Sequence, residues 1–302
     1  MSSLLEALVA GPVVLDGGLS TELEARGHDV SSALWSARLL RDDPEAIVAA
    51  HAAFAAAGAQ VATTASYQAT FEGFVAMGAT WREAEALIER SVILAREGQG
   101  AGWVAGSVGP YGAMLADGSE YTGAYMDEMD VRALRAFHRP RMEALAGAGA
   151  DVLACETVPA AAEAGALVAE AVDIGMPIWL SLTTVLGDDG VPRTRRGEPA
   201  SDVYALVAGV PEVIAVGVNC TAPAAIGPTV AAAAVAGKPI VVYPNSGEVW
   251  EAADRRWTGS PGISPADVPA SVASGARLVG GCCRVRPEHI AAIARTIRSP
   301  DR

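Results

Sequence analysis

Ala215-Val216-Gly217-Val218-Asn219-Cys220 is an apolar run that ends on an amide and a thiol. It shows no polar alternation, so a strand built from it is buried on both faces, as in a parallel sheet covered by helices. The same pattern recurs along the chain. Candidate strands are Val13–Asp16, Val61–Ser66, Trp103–Val108, Val152–Glu156, Pro177–Leu182, Val213–Val218, Pro239–Tyr243 and Arg277–Val279, eight in all. Ala-rich helical stretches separate them. Pro44–Ala57 lies between an N-cap at Asp43 and a stop at Gly58; Thr80–Gln99 opens with a Thr80/Glu83 capping box; Asp130–Ala148 contains Pro140, which predicts a kink. Helical stretches also cover Pro159–Ile174, Ser201–Ala208, Pro223–Ala236 and Pro287–Ile297.

Eight βα units in 302 residues predict an α/β chain folded as a (β/α)8 TIM barrel, with its active site at the C-terminal ends of the strands. A doubly wound open sheet is the alternative. It is disfavoured because no Gly-x-Gly-x-x-Gly follows the first strand and because polar or reactive residues follow nearly every strand. No linker or composition shift divides the chain, so residues 1–302 are expected to form a single domain. Gly109–Met129 and Thr183–Pro199 are expected as long loops on the active-site face.

Composition narrows the function classes. The net charge of −13 argues against a nucleic-acid partner, which needs a basic footprint, and against an anionic membrane surface. No run of 18 apolar residues suggests a membrane span, and Met1–Leu15 lacks the basic start of a signal peptide. Four cysteines, two of them adjacent, are not a disulfide framework; a reducing cytoplasm is the expected location.

The strand ends hold the chemistry. Cys220 ends one run, and Cys282-Cys283 follow Gly280-Gly281 at the end of another. In a barrel only one strand separates these ends, so three thiolates can meet. Either they are small buried hydrophobes, or they hold one zinc ion with its fourth position open. Adjacent cysteines share one ion only where the strand bends, and Gly280-Gly281 is the expected site of that bend. Asp16, followed by Gly17-Gly18, either caps a turn or helps to hold an amino acid, with the glycine N–H groups facing a carboxylate. Glu156, ending a buried strand, is placed to join Asp16 on an ammonium group. Cys155 reads as core, and none of the four histidines as a ligand.

Taken together, Asp16-Gly17-Gly18, Thr63-Thr64-Ala65-Ser66-Tyr67-Gln68, Gly106-Ser107-Val108-Gly109-Pro110-Tyr111, Glu156-Thr157, Gly217-Val218-Asn219-Cys220, Tyr243-Pro244-Asn245-Ser246-Gly247-Glu248 and Gly280-Gly281-Cys282-Cys283-Arg284 resemble the homocysteine S-methyltransferase family. The resemblance spans residues 16 to 284 and favours the barrel. It implies a zinc-dependent methyltransferase in which Cys220, Cys282 and Cys283 bind Zn2+. It further implies that Asp16 and Glu156 hold the amino group of homocysteine, that Gly17 and Gly18 face its carboxylate, and that Asn219 and Asn245 line the site. Methyl transfer from a sulfonium donor (S-methylmethionine or S-adenosylmethionine) to zinc-bound homocysteine thiolate would give methionine. The chain lacks the extension of the betaine-using enzymes and the cobalamin and folate modules of methionine synthase, so a monomer or small homo-oligomer of the short form is expected. Two further readings are a methyltransferase for another thiol or selenol such as selenocysteine, and a non-catalytic zinc or thiol redox-sensing barrel.

Overall fold

The computed structural model describes residues 2–30, 34–251, 256–258 and 267–298. Its main sheet has eight parallel strands: β1 (Val13–Val14), β2 (Val61–Thr63), β3 (Trp103–Val108), β4 (Val152–Val158), β5 (Ile178–Leu182), β6 (Val213–Asn219), β7 (Ile240–Tyr243) and β8 (Ala276–Val279). From β2 onward each strand pairs with the next, and β8 pairs with β1. The remaining seam is closed by a parallel bridge between Leu15 and Val61, so the sheet is a (β/α)8 barrel. Every expected strand is present, Trp103–Val108 with the bounds expected and the others with ends shifted by one to three residues. β1 stops at Val14, and β2 stops at Thr63.

Two apolar cores follow from the period of two along each strand. Val13, Leu15, Val61, Ala105, Val152, Ala154, Trp179, Ala215, Val241, Tyr243 and Leu278 fill the barrel interior. Their alternates, among them Val14, Ala62, Val104, Leu153, Cys155, Leu180 and Val216, pack outward against the helices. Cys155 is therefore core, as expected, and burial pushes its thiol up to about 12. The helix Leu4–Ala10 is an addition to the sequence reading. Its capping box runs from Ser3 to Glu6, and Leu4 and Leu8 join the interior core beside Val13 and Leu15.

The helices obey their signals. Asp43 caps Pro44–Ala57, and Gly58 ends it at φ 106°. The Thr80/Glu83 box opens Trp81–Gln99. Val131–Gly147 runs continuously through Pro140. The two long segments are more ordered than expected of loops. Gly109–Met129 folds into Tyr111–Leu115 and the short turns Ser119–Tyr121 and Ala124–Asp127. Thr183–Pro199 carries the hairpin Thr184–Leu186/Pro192–Thr194. The two segments are clasped by the Arg196–Asp127 ion pair at 2.5 Å.

Gly217 shows how tightly β6 and β7 approach. A Cβ at this position would overlap the Val241 carbonyl of the neighbouring strand, which is backbone and has nowhere to go. Gly217→Ala is therefore expected to destabilise the fold by about 3 kcal/mol, read as a lower urea midpoint at unchanged m-value.

A three-thiol site at the barrel mouth

Along the inner face, side chains change from apolar to polar at the last inward position. Above Val61, Ala105, Ala154, Trp179 and Ala215 come Thr63, Ser107, Glu156, Ser181 and Asn219. Of these, Thr63, Ser107, Glu156 and Asn219 line a cavity of about 400 Å³ together with Asp16, the three cysteines and residues from the segments that follow β1, β2 and β3.

Cys220, Cys282 and Cys283 have their sulfur atoms within 4.8 Å of one another, and those of Cys220 and Cys282 are 2.6 Å apart. The bend that brings them together is not where the glycines suggested. Positive φ falls on Cys220 itself (45°) and on Arg284 (66°), whereas Gly280 and Gly281 are not in the left-handed region. Their role is close approach: a Cβ on Gly280 would lie 2.5 Å from the Asp16 carbonyl, and one on Gly281 would overlap Val285. The turn Cys282–Val285, closed by a 3.2 Å hydrogen bond, puts both cysteines on one side. Their amides donate to the Pro244 carbonyl (2.8 Å) and to Asn245 Oδ1 (3.2 Å). Hydrogen bonds from Cys282 and then Cys283 hold the Cys220 thiol well below the usual thiol range.

Asp16 and Glu156 stand beside this cluster, 2% and 6% exposed. Thr63 donates its N–H (2.7 Å) and its hydroxyl (2.9 Å) to the two Asp16 carboxylate oxygens. Glu156 accepts from the Ser107 hydroxyl and from Tyr243, whose own oxygen accepts from Trp179 Nε1 at 2.9 Å. Burial outweighs these bonds, pushing Asp16 up to about 7 and Glu156 up to about 8.

The structure redistributes some expected roles. Gly17 and Gly18 both line the cavity; the Gly18 N–H donates to the Val285 carbonyl at 2.9 Å and so is committed within the protein. Gly17 and Gly18 serve close packing: a Cβ on Gly17 would overlap the Val285 carbonyl, and one on Gly18 would lie 2.6 Å from the Cys282 carbonyl. Asn219 is fully buried at the cavity wall, where its amide bonds the Thr157 N–H and hydroxyl, both at 2.7 Å, and so fixes Thr157 at φ 59°. Asn245 is not part of the lining; it holds the Cys283 amide. Glu120 and Tyr121 line the cavity and were not singled out from sequence. They lie in the middle of a long inter-strand segment, where strand-end position gives no signal. His138 is buried on a helix, bonded through Nε2 to Glu163 (2.9 Å), away from the cavity as expected.

Fold and site together define a parallel β/α barrel that gathers a metal-competent trio of thiols beside two buried acids. The chain belongs to the homocysteine S-methyltransferase family, whose model matches residues 13–297. It is 47% identical over 300 residues to homocysteine S-methyltransferase of Escherichia coli (strain K12), covering 93% of this chain and 94% of that protein. Selenocysteine Se-methyltransferase of Brassica oleracea var. italica is 39% identical over 325 residues, covering 99% of this chain and 92% of that one. The crystal structure of the E. coli homocysteine methyltransferase MmuM in its metallated form superposes with a TM-score of 0.82 at 43% identity, covering 96% of this chain and 99% of that chain. The chain is thus a methyltransferase by family, which sets aside the non-catalytic sensor.

The two raised acids have a measurable consequence. Their folded-state values lie above their ordinary ones. The stability they contribute is therefore complete below about pH 4 and is lost as pH rises through 7 to 8. Glu156→Gln, without ligand, is expected to match the parent in thermal unfolding at pH 4. At pH 8.5 it should exceed the parent by roughly 1–3 kcal/mol.

Proposed function

We propose that this chain transfers a methyl group from a sulfonium donor, S-methylmethionine or S-adenosylmethionine, to homocysteine, giving methionine. The observation that carries the reading is the convergence of three thiols and the buried Asp16–Glu156 pair on one cavity.

The thiol trio fits a zinc ion. Three sulfurs within 4.8 Å supply three soft ligands of a tetrahedron, and the cavity supplies the open side. A zinc ion bound there would supply thiol activation, lowering the pKa of an added thiol so that it is a thiolate at neutral pH. Cys220, Cys282 and Cys283 would hold it; the backbone bonds to Pro244 and Asn245 fix two of them before any metal arrives.

Asp16 and Glu156 bind and orient the amino acid. Each Asp16 oxygen accepts one bond from Thr63 and retains a lone pair for an ammonium N–H. Both acids resist ionisation alone, and an ammonium group supplies the opposite charge that ionises them. Held by that group, the homocysteine sulfur is positioned for in-line attack. A sulfur lone pair forms the new S–CH3 bond. The old C–S bond breaks, its electron pair returns to the donor sulfur, and the donor leaves as a neutral thioether. The thiol proton is released to water as the acceptor binds, before the methyl group moves.

Purified protein incubated with homocysteine and S-methylmethionine or S-adenosylmethionine is expected to form methionine, and a chelator should abolish this. Absence of methionine with every sulfonium donor would sink the proposal. Cys220→Ser should lose stoichiometric zinc by atomic absorption; retained stoichiometric zinc would remove Cys220 from the ligand set. The likeness to a selenocysteine Se-methyltransferase favours a second acceptor reading. Competition between homocysteine and selenocysteine in one assay decides between them through the ratio of kcat/KM values.

A further inference from the structure

The barrel mouth carries more acid than the acceptor uses. The described lining includes the carboxyl groups of Asp16, Glu24, Asp29, Glu120 and Glu156, with no lysine or arginine. Glu24 and Asp29 are exposed, each beside an arginine outside the lining. Asp16 and Glu156 are taken by the acceptor's ammonium group. Glu120 is the remaining buried acid of the lining. It is 7% exposed, and its Oε2 has no hydrogen-bond partner within the protein. A buried carboxylate is destabilised when left unpaired, so a cation from outside is its natural complement.

Its surroundings specify that cation. Tyr121 and Tyr67 line the same cavity. Tyr67 is seated against Gly109, where a Cβ would lie 2.8 Å from the ring. Its hydroxyl end senses Glu120, Cys220 and Glu156, and Tyr121 senses Cys220, Cys283 and Glu120. The Tyr121 hydroxyl bonds the Cys220 thiol, so the acid and both rings share one wall of the cavity with the sulfur cluster, on the segments that follow β2 and β3. The Ser119–Tyr121 turn is firmly built: Gly112 leaves room for the Glu120 backbone, and the Arg195 guanidinium lies 5.9 Å from the Tyr121 ring centre. Two aromatic rings and a buried carboxylate form a receptor for a weakly hydrated cation that cannot donate strong hydrogen bonds. The reaction has one such group.

We infer that Glu120, Tyr67 and Tyr121 form the methyl-donor subsite and that Glu120 is the counter-ion of the donor's sulfonium. The inference rests on the sulfonium-donor reading above. It has a kinetic signature. The donor's positive charge disappears as its methyl carbon passes to the thiolate. Glu120 therefore gives the transition state no stabilisation beyond what it gives the bound donor, so its removal raises KM without lowering kcat.

The test uses the metal-loaded enzyme with S-methylmethionine and with its deaminated counterpart, which keeps the sulfonium and carboxylate but lacks the ammonium. In Glu120→Gln the KM of both donors is expected to rise roughly tenfold or more, while kcat moves by less than about threefold and the KM of homocysteine by less than about twofold. Calorimetry supplies a readout independent of turnover. An unreactive quaternary-ammonium analogue of the donor should bind the parent about tenfold tighter than its neutral carbon isostere, and Glu120→Gln should erase that preference. Glu120→Asp, which keeps the charge, should restore part of it, separating loss of charge from loss of folding. An unchanged donor KM overturns the inference. So does a loss confined to the amino-bearing donor, or one that falls on homocysteine. Failure of the unsubstituted enzyme to form methionine from either donor overturns the sulfonium reading itself, and that is seen before any substitution is made.

Discussion

A seam of a few backbone hydrogen bonds joins the first strand to the last, and the barrel mouth depends on it. β1 has only two residues. Leu15 N–H donates to the Val279 carbonyl (2.8 Å), Gly281 N–H to the Asp16 carbonyl (3.0 Å), and Asp16 N–H to the Val61 carbonyl (3.1 Å). These bonds bring residues 16 and 282 together across most of the chain. Without them Asp16 and the Cys282-Cys283 thiols would belong to opposite edges of an open sheet. The glycines on either side of the seam serve this contact. Gly17, Gly18, Gly280 and Gly281 each have backbone or core atoms where a side chain would stand.

Much of this was legible in the sequence, for a definite physical reason. Strands buried on both faces read as unbroken apolar runs, and their ends are marked by the residues that replace hydrophobic ones. Cys220, Glu156, Asp16 and Cys282-Cys283 all stand at such ends. What escaped has an equally definite reason. Glu120 and Tyr121 sit in a segment whose position depends on packing against Gly112 and Arg195, not on periodicity. The commitment of the Gly18 N–H to Val285 and of the Asn219 amide to Thr157 are partner choices that only the folded arrangement makes. The bend was expected at Gly280-Gly281 because glycine tolerates it, yet it falls on Cys220 and Arg284, whose surroundings hold them there.

Those bends show where the fold gives up stability for chemistry. Thr157, Cys220 and Arg284 are three of the four described non-glycine residues with positive φ, and all flank the cavity. Such conformations cost about 1–3 kcal/mol each and persist only where neighbours enforce them. Asn219 enforces Thr157. Thr183, donating to the Cys220 carbonyl at 3.1 Å, steadies Cys220. The Arg284 amide donates to Thr21 at 3.0 Å, and its guanidinium reaches Glu248 at 3.2 Å. The buried acids add to the same debt. A mouth strained in backbone and starved of counter-charge is poised to gain from the ions it binds.

The helix Leu4–Ala10 gives the barrel a direction. With Leu4 and Leu8 set into the interior core and Trp179 filling its middle, the barrel is a cup with a single rim. Both substrates and both products share one doorway. Glu156 stands directly above the interior floor of Ala154, Trp179 and Tyr243, whereas the Glu24 and Asp29 carboxylates of the same cavity are exposed. Depth along the barrel axis thus sorts the acids, dry at the floor and wet at the rim.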